Sequence, residues 1–71
     1  MTDTNALREA IASAGLKYNF VAKALGLTPY GLQKKIENRT EFKASEIAAL
    51  TDLLSLPERK RTEIFFAPRG D

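Results

Sequence analysis

The stretch ALGLTPYGLQKK places a helix stop and a helix start almost side by side in a chain that otherwise favours helices. Gly26 suits the left-handed conformation that ends many helices. Thr28 is a good N-cap residue, and Pro29 behind it fits the first position of a new helix. Only Leu27 separates the stop from the start. The pattern therefore predicts two helices joined by a turn of three to four residues, a helix-turn-helix at about residues 18–38.

Apolar residues recur at helical spacing along the rest of the chain, and strand signals are nearly absent. Ser55 and Glu58 have the spacing of a capping box, which predicts that the last helix begins there. The sequence therefore predicts a single all-α domain over residues 1–71 with an ordered core at about 4–66. Its five helices are expected at about residues 4–14, 18–25, 28–38, 43–54 and 55–66.

The composition narrows the chemistry. The 71 residues include no Cys, His or Trp, so disulfides and Cys or His metal sites are excluded, and we expect neither a metal nor a cofactor. The acidic residues are scattered and no phosphate-cradling glycine loop is present, so an enzyme is not expected. No apolar run has the length of a signal peptide or a membrane span, which predicts a cytoplasmic protein without a membrane partner. The chain is also too short for a ligand-sensing domain, so no small-molecule ligand is expected.

The charge is uneven along the chain. Residues 17–43 hold six basic and two acidic side chains, a net charge of +4, whereas residues 1–16 and 44–71 each carry −1. No acidic residue occurs between Ala10 and Ile36. A basic centre between weakly acidic ends indicates a surface for a polyanion, although a solvated charged face fits the same pattern.

The third helix has a polar outward face. With Leu32 at the centre of the buried side, the opposite side carries Tyr30, Lys34 and Glu37, flanked by Gly31 and Gln33. Lysine and glutamine side chains reach base edges in the major groove of DNA. Gly31 permits a close approach to DNA or to a neighbouring helix, or it is simply tolerated. Glu37 either lies beyond the DNA or pairs with a nearby base such as Lys34. The candidate base-contacting residues are Thr28, Tyr30, Gly31, Gln33 and Lys34.

Phosphate contacts are expected on either side of this face. The loop after the third helix carries basic and polar residues, and its Lys43 stands where Ser or Thr would form a capping box with Glu46. The start of the second helix offers free N–H groups and the positive end of the helix dipole. The candidate phosphate-contacting residues are Lys17, Tyr18, Asn19, Asn38, Arg39, Thr40 and Lys43.

The segment YNFVAKALGLTPYGLQKKIENR resembles the helix-turn-helix of the lambda Cro/repressor superfamily, the Xre family. The features that match are the Val-Ala pair of the second helix, the Leu-Gly-Leu turn, Thr28 before the third helix, and the apolar positions Leu32 and Ile36. The resemblance covers most of residues 4–66, and the segments FKASEI and EIFF are similar to those of short phage and prophage repressor-like proteins. The chain departs from the pattern at Tyr18, where glutamine is common, and at Pro29 and Tyr30, where glutamine or serine is common.

This resemblance implies a lambda-repressor-like fold and sequence-specific binding of double-stranded DNA. It implies a transcriptional regulator, a repressor that occludes a promoter at a pseudo-palindromic operator, in a bacterial or phage-encoded, nucleoid-associated setting. The alternative function is a helix-turn-helix module that binds another protein, such as an antitoxin. Salt dependence separates the two, because binding through several phosphates weakens steeply with salt and an apolar protein contact does not.

The end of the fifth helix, EIFFAP, places Ile64, Phe65 and Phe66 next to one another. Three adjacent helical residues span about 200° of the helix surface, so a small core covers only part of them. We expect at least one ring, that of Phe66, to be exposed in a monomer. These three residues are the predicted interface of a homodimer, at least on DNA. The alternative is that all three pack beneath the first and fourth helices.

Overall fold

The structure, a computed structural model, describes residues 1–68 and contains five α-helices and no strand over that range. The all-α, five-helix fold predicted from the sequence is therefore confirmed, and the predicted helix ends are mostly correct to within two residues. Residues 69–71 of the predicted domain lie outside the described range. No helix in the described part is long and apolar enough to cross a membrane. The helices are α1 (Thr4–Ser13), α2 (Tyr18–Ala24), α3 (Pro29–Ile36), α4 (Ala44–Leu53) and α5 (Glu58–Phe65).

The first four helices end in the same way. The residue two places beyond each helix adopts a positive φ, at 70° for Gly15, 71° for Gly26, 64° for Asn38 and 52° for Ser55. After each of them, the next N–H bonds the carbonyl five residues earlier, as at Leu27 N–H and the Ala22 carbonyl, 2.8 Å apart. This is the Schellman motif, which satisfies carbonyls that a helix end leaves unpaired. Gly26 and Asn38 therefore end α2 and α3 in the conformation that the sequence predicted.

Ser55 does not cap the fifth helix, so the predicted capping box with Glu58 is wrong. Its N–H bonds the Asp52 carbonyl at 3.1 Å, which makes it part of the end of α4. A left-handed backbone at Ser55 is incompatible with the extended backbone that an N-cap needs. The N-cap of α5 is Pro57, which has no side-chain capping bond.

The core is a single apolar cluster to which every helix contributes. Ala22 and Leu32 are buried where α2 packs against α3, and α1 packs against both α3 and α5. Ala22 has no exposed surface, and its small side chain lets α2 approach α3 closely. Together these contacts fix α3 between α1 and α2. The buried apolar residues are Leu7, Ile11, Val21, Ala22, Leu32, Ile36, Leu50, Ile64 and Phe65.

The start of the chain is held by backbone hydrogen bonds, although the predicted ordered core began only at residue 4. The N–H of Asp3 bonds the Ile64 carbonyl at 2.7 Å. The N–H of Ala67 bonds the Met1 carbonyl at 3.0 Å, and the Met1 amino group bonds the Ala67 carbonyl at 3.2 Å. Residues 1–3 are therefore part of the folded structure.

Candidate nucleic-acid interface

The turn between α2 and α3 is built by local hydrogen bonds. The Thr28 hydroxyl oxygen accepts from the Gly31 N–H at 3.0 Å, and Pro29 occupies the first helical position. A Cβ on Gly31 would lie 3.2 Å from that hydroxyl oxygen and near no other helix, so close packing with a neighbouring helix does not explain this glycine. Because the hydroxyl accepts in the cap, its hydrogen stays available for donation. The two helices and their turn are compatible with a helix-turn-helix.

The outward face of α3 is organised around one aromatic ring. Tyr30 is 59% exposed, and the ammonium nitrogen of Lys34 lies 5.1 Å from the ring centroid. The guanidinium of Arg39, from the loop after α3, lies 5.9 Å from the same centroid, and its Nη2 is 3.4 Å from the Tyr30 hydroxyl oxygen. Cation–π attraction of this kind holds charged groups beside a ring. The structure thus places the predicted base-contacting residues Tyr30 and Lys34 on the same surface as the predicted phosphate-contacting residue Arg39.

Glu37 is the hub of a second group of side chains on the same face. Its Oε2 accepts from Gln33 Nε2 at 3.2 Å and lies 3.4 Å from Nη2 of Arg8 on α1. Its Oε1 lies 3.6 Å from Nη1 of Arg39. The predicted pairing of Glu37 with a basic side chain is therefore confirmed, but its partners are Arg8 and Arg39 rather than Lys34.

Lys35, which is part of the basic segment, is largely covered by its contacts with α4 and does not lie on the outward face. Its ammonium donates to Glu46 Oε1 at 2.7 Å and to the Glu41 carbonyl at 3.1 Å. The two paired side chains are only 12% and 9% exposed. Burial raises the pKa of Glu46, but the hydrogen bond from Lys35, the Lys43 N–H and both lysine charges outweigh burial, so its pKa lies below the ordinary value. The pair ties α3 to α4.

The loop after α3 leaves two further predicted phosphate contacts exposed, Thr40 and Lys43. Lys43 is the N-cap residue of α4, and its side chain makes no capping bond. Glu46 instead accepts from the Lys43 N–H at 2.8 Å, which is half of a capping box. The Lys43 ammonium is therefore not needed at the helix end.

The start of α2 lies beside α3, as the proposed phosphate contacts there require. Lys17, Tyr18 and Asn19 are all exposed. Tyr18 and Asn19 line an open cleft of about 450 Å³ that also contacts Arg8 of α1 and Gln33 of α3. The structure therefore gathers side chains from α1, α2 and α3 around one cleft.

Asn38 is a structural residue. Its Oδ1 accepts from the Thr2 N–H at 2.8 Å, and its Nδ2 donates to the Thr2 carbonyl at 2.7 Å. This reciprocal pair holds the amide against the start of the chain, while the residue itself stays exposed, so its phosphate contact stays a prediction. Its left-handed φ at the end of α3 is the part of its role that the sequence indicated.

The predicted dimer interface needs a correction. Ile64 and Phe65 are buried in the core, and the Phe65 ring meets the Phe42 ring edge-on with centroids 5.5 Å apart. Neither side chain is accessible to a second protomer. Phe66 is 60% exposed, which confirms the expectation of one exposed ring. Phe66 borders an open cleft of about 420 Å³ whose other lining residues are Phe42, Ala44, Ile47, Ala48 and Arg61.

Arg8 was missed by reasoning from the sequence. It precedes the basic segment of residues 17–43 and lies on the first helix, where no functional residue was predicted. Its approach to Glu37 spans 29 residues of chain, so no local spacing signals it. The one available signal was the acidic Glu37 at the edge of a basic face, which calls for a cationic partner.

Fold and surface together define a small all-α protein with a polar, mostly basic face on and around α3. Residues 4–68 match the model of the family described as Protein of unknown function (DUF739), and the chain belongs to that family. No curated protein and no solved structure matches the chain.

Proposed function

We propose that this protein binds double-stranded DNA sequence-specifically and regulates transcription as a helix-turn-helix protein of the lambda Cro/repressor type. The observation that carries this proposal is the exposed Tyr30 ring flanked by Lys34 and Arg39, on a short helix that begins with an N-capped turn. An exposed aromatic with cations on one helix face suits the major groove, where lysine and glutamine reach base edges and a ring can lie on a thymine methyl. In its simplest form the regulation is repression by occlusion of a promoter.

The residues around this face suit a phosphate backbone. Arg39, Thr40 and Lys43 are exposed in the segment after α3, and Lys17 and Tyr18 are exposed at the start of α2. Phosphate contacts on both sides of a base-reading helix fix its register on the duplex. Gln33 and Lys34 are the base readers of this proposal, supported by Thr28, Tyr30 and Gly31.

The test is selection of bound sequences from random duplex DNA, followed by a salt titration on the preferred site. We expect one enriched motif and an affinity that falls linearly on logarithmic axes with salt. Alanine at Lys17, Arg39 or Lys43 is expected to reduce that slope by about one unit each. Failure to enrich any motif, with weak binding that ignores salt, would favour the protein-binding alternative.

We also propose that the protein binds its operator as a homodimer through Phe66. This ring is exposed beside a cleft that contains the small residues Ala44 and Ala48, so a ring and a cleft lie together as a two-fold contact requires. Such a contact would set two α3 helices about 34 Å apart, one turn of DNA. A single small module also makes few base contacts, which favours two copies per site.

Sedimentation of the wild type and Phe66→Ser, free and with a palindromic site, tests the dimer. We expect two wild-type copies per site and a loss of the second copy in the variant, with an unchanged circular dichroism spectrum. Phe65→Ser is the matched control, since it places the same change in the core and is expected to unfold the protein. A wild type that binds as one copy, or a Phe66→Ser protein that unfolds, would contradict the proposal.

A further inference from the structure

We propose that Glu37 is a positioning residue that sets the sequence preference of α3 by fixing the side-chain amide of Gln33. This inference rests on the proposed DNA binding. Glu37 follows the last residue of α3, and its carboxylate accepts from Gln33 Nε2 at 3.2 Å, one helical turn away. Gln33 itself is exposed on the outward face.

The chemistry of the two groups fixes which way the amide faces. A carboxylate has only acceptor atoms, so the NH₂ group of Gln33, rather than its oxygen, must face Glu37. One N–H is used there, and the second N–H and Oε1 remain for a ligand. An amide presents this donor–acceptor pair to the N7 and N6 edge of adenine in the major groove. With its orientation set in advance, Gln33 prefers adenine over bases that offer two acceptors.

The carboxylate is itself held in place from two sides. Arg8 of α1 lies 3.4 Å from one oxygen, and Arg39 of the following loop lies 3.6 Å from the other. Only 31% of the Glu37 side chain is exposed. Two cations beside the carboxylate offset the repulsion between Glu37 and nearby phosphates. The negative charge can therefore stay at a DNA-facing surface and act on Gln33.

The matched pair of variants is Glu37→Gln and Glu41→Gln. Both remove one negative charge within four residues of each other, but the Glu41 side chain is exposed in the loop and has no hydrogen bond in the described structure. Both are expected to raise the affinity for random duplex DNA, because both reduce repulsion from phosphates. Only Glu37→Gln is expected to lower the ratio of affinities for the preferred site and random DNA, by about tenfold.

A double-mutant cycle with Gln33→Ala separates positioning from direct reading. If Glu37 acts through Gln33, Glu37→Gln changes the affinity ratio no further once Gln33 is alanine. A new base preference at a position that Gln33→Ala leaves unchanged would overturn the proposal, because Glu37 would then read a base itself. An affinity ratio that falls equally in Glu37→Gln and Glu41→Gln would also overturn it.

A measurement without DNA distinguishes this inference from the proposed function. In NMR spectra of the free protein, the side-chain NH₂ resonances of Gln33 are expected to shift in Glu37→Gln and to stay unchanged in Glu41→Gln. Unchanged Gln33 resonances in both variants would refute the positioning contact even if the wild type selects a DNA motif. A wild type that selects no motif would refute the proposed function, whatever the resonances show.

Discussion

Replacing Lys35 by methionine tests the ion pair that joins α3 to α4. Methionine keeps most of the length and apolar volume of lysine but removes the ammonium that bonds Glu46 at 2.7 Å. The Glu46 carboxylate then stays in a site where it is 9% exposed, with the Lys43 N–H as its remaining partner. Breaking a buried pair by removing one partner costs about 3–5 kcal/mol. Because this pair is only partly buried and the Lys43 bond persists, we expect a smaller cost, about 2 kcal/mol.

That cost is large for a protein of this size. A 71-residue domain has a free energy of unfolding of about 4–11 kcal/mol in total. A loss of about 2 kcal/mol lowers the Tm of such a domain by about 8–16 °C. The chain has no Trp, so urea unfolding is best followed by far-UV circular dichroism. The matched control is Lys34→Met, the same change on the outward face, where we expect a change within about 0.5 kcal/mol.

The effect must also depend on pH in a defined direction. The folded protein holds the pKa of Glu46 below its ordinary value of 4.5, so the ionised carboxylate stabilises the fold at any pH above that value. This contribution is lost as the pH falls through the folded pKa. Lys35→Met removes the hydrogen bond and the positive charge that lower the pKa of Glu46, whereas the burial that raises this pKa remains. The pKa of Glu46 is therefore expected to be higher in the variant than in the wild type. The difference in unfolding free energy between the two proteins should therefore shrink between pH 6 and pH 3. A constant difference, or a Lys35→Met protein as stable as Lys34→Met at pH 7, would refute this account.

Three further substitutions test other parts of the molecule. Ser55→Gly is expected to raise the free energy of unfolding by about 0.5–1 kcal/mol, because Ser55 has a φ of 52°, which glycine adopts more easily than serine. The control Ser45→Gly, within α4, should lower the free energy of unfolding by a similar amount, and the midpoints of urea unfolding measure both changes. Arg39→Ala is expected to weaken binding to preferred and random duplex DNA alike, and the control Lys60→Ala on α5 should leave both titrations unchanged. Gln33→Ala is expected to cost about 1–3 kcal/mol on the preferred site and much less on random DNA; equal losses on both would make Gln33 a phosphate contact.

The helix-turn-helix could be predicted from the sequence because its signals are local. Gly26 ends α2, and Thr28 and Pro29 begin α3. Residues 26–29 therefore determine both where α2 ends and where α3 begins. Ser55 shows the limit of such signals. Serine suits an N-cap, but α4 ends at Leu53 with Leu54 as its C-cap, and Leu54 and Leu56 both pack against the core. The local pattern favoured Ser55 as the N-cap of α5, whereas the packed structure places Ser55 at the end of α4.

The roles of the charged residues could be predicted only in part. Lys34 and Lys35 are neighbours of the same type, yet one lies beside an exposed ring and the other is paired in the interior. A rotation of 100° along the helix separates them, and the difference depends on where α4 places Glu46. Arg8 was out of reach for the same reason, because its partner is on another helix. Pairings between distant segments require the packed fold.

The two ends of α3 are held in different ways, and this difference bears on how the helix could present side chains to DNA. An eight-residue helix is too short to be stable alone in water, so its neighbours must hold it. Its first turn is fixed by its own cap at Thr28, which leaves Tyr30 and Gln33 exposed. Its C-terminal end is fixed by side-chain bonds to three other parts of the chain. The residues that make these bonds face away from the exposed surface or lie at its edge. Substitutions at Lys35 or Asn38 should therefore change the direction of the whole helix, whereas substitutions at Tyr30 or Gln33 should change only what the helix contacts. The anchoring pairs are Lys35 with Glu46, Glu37 with Arg8 and Asn38 with Thr2.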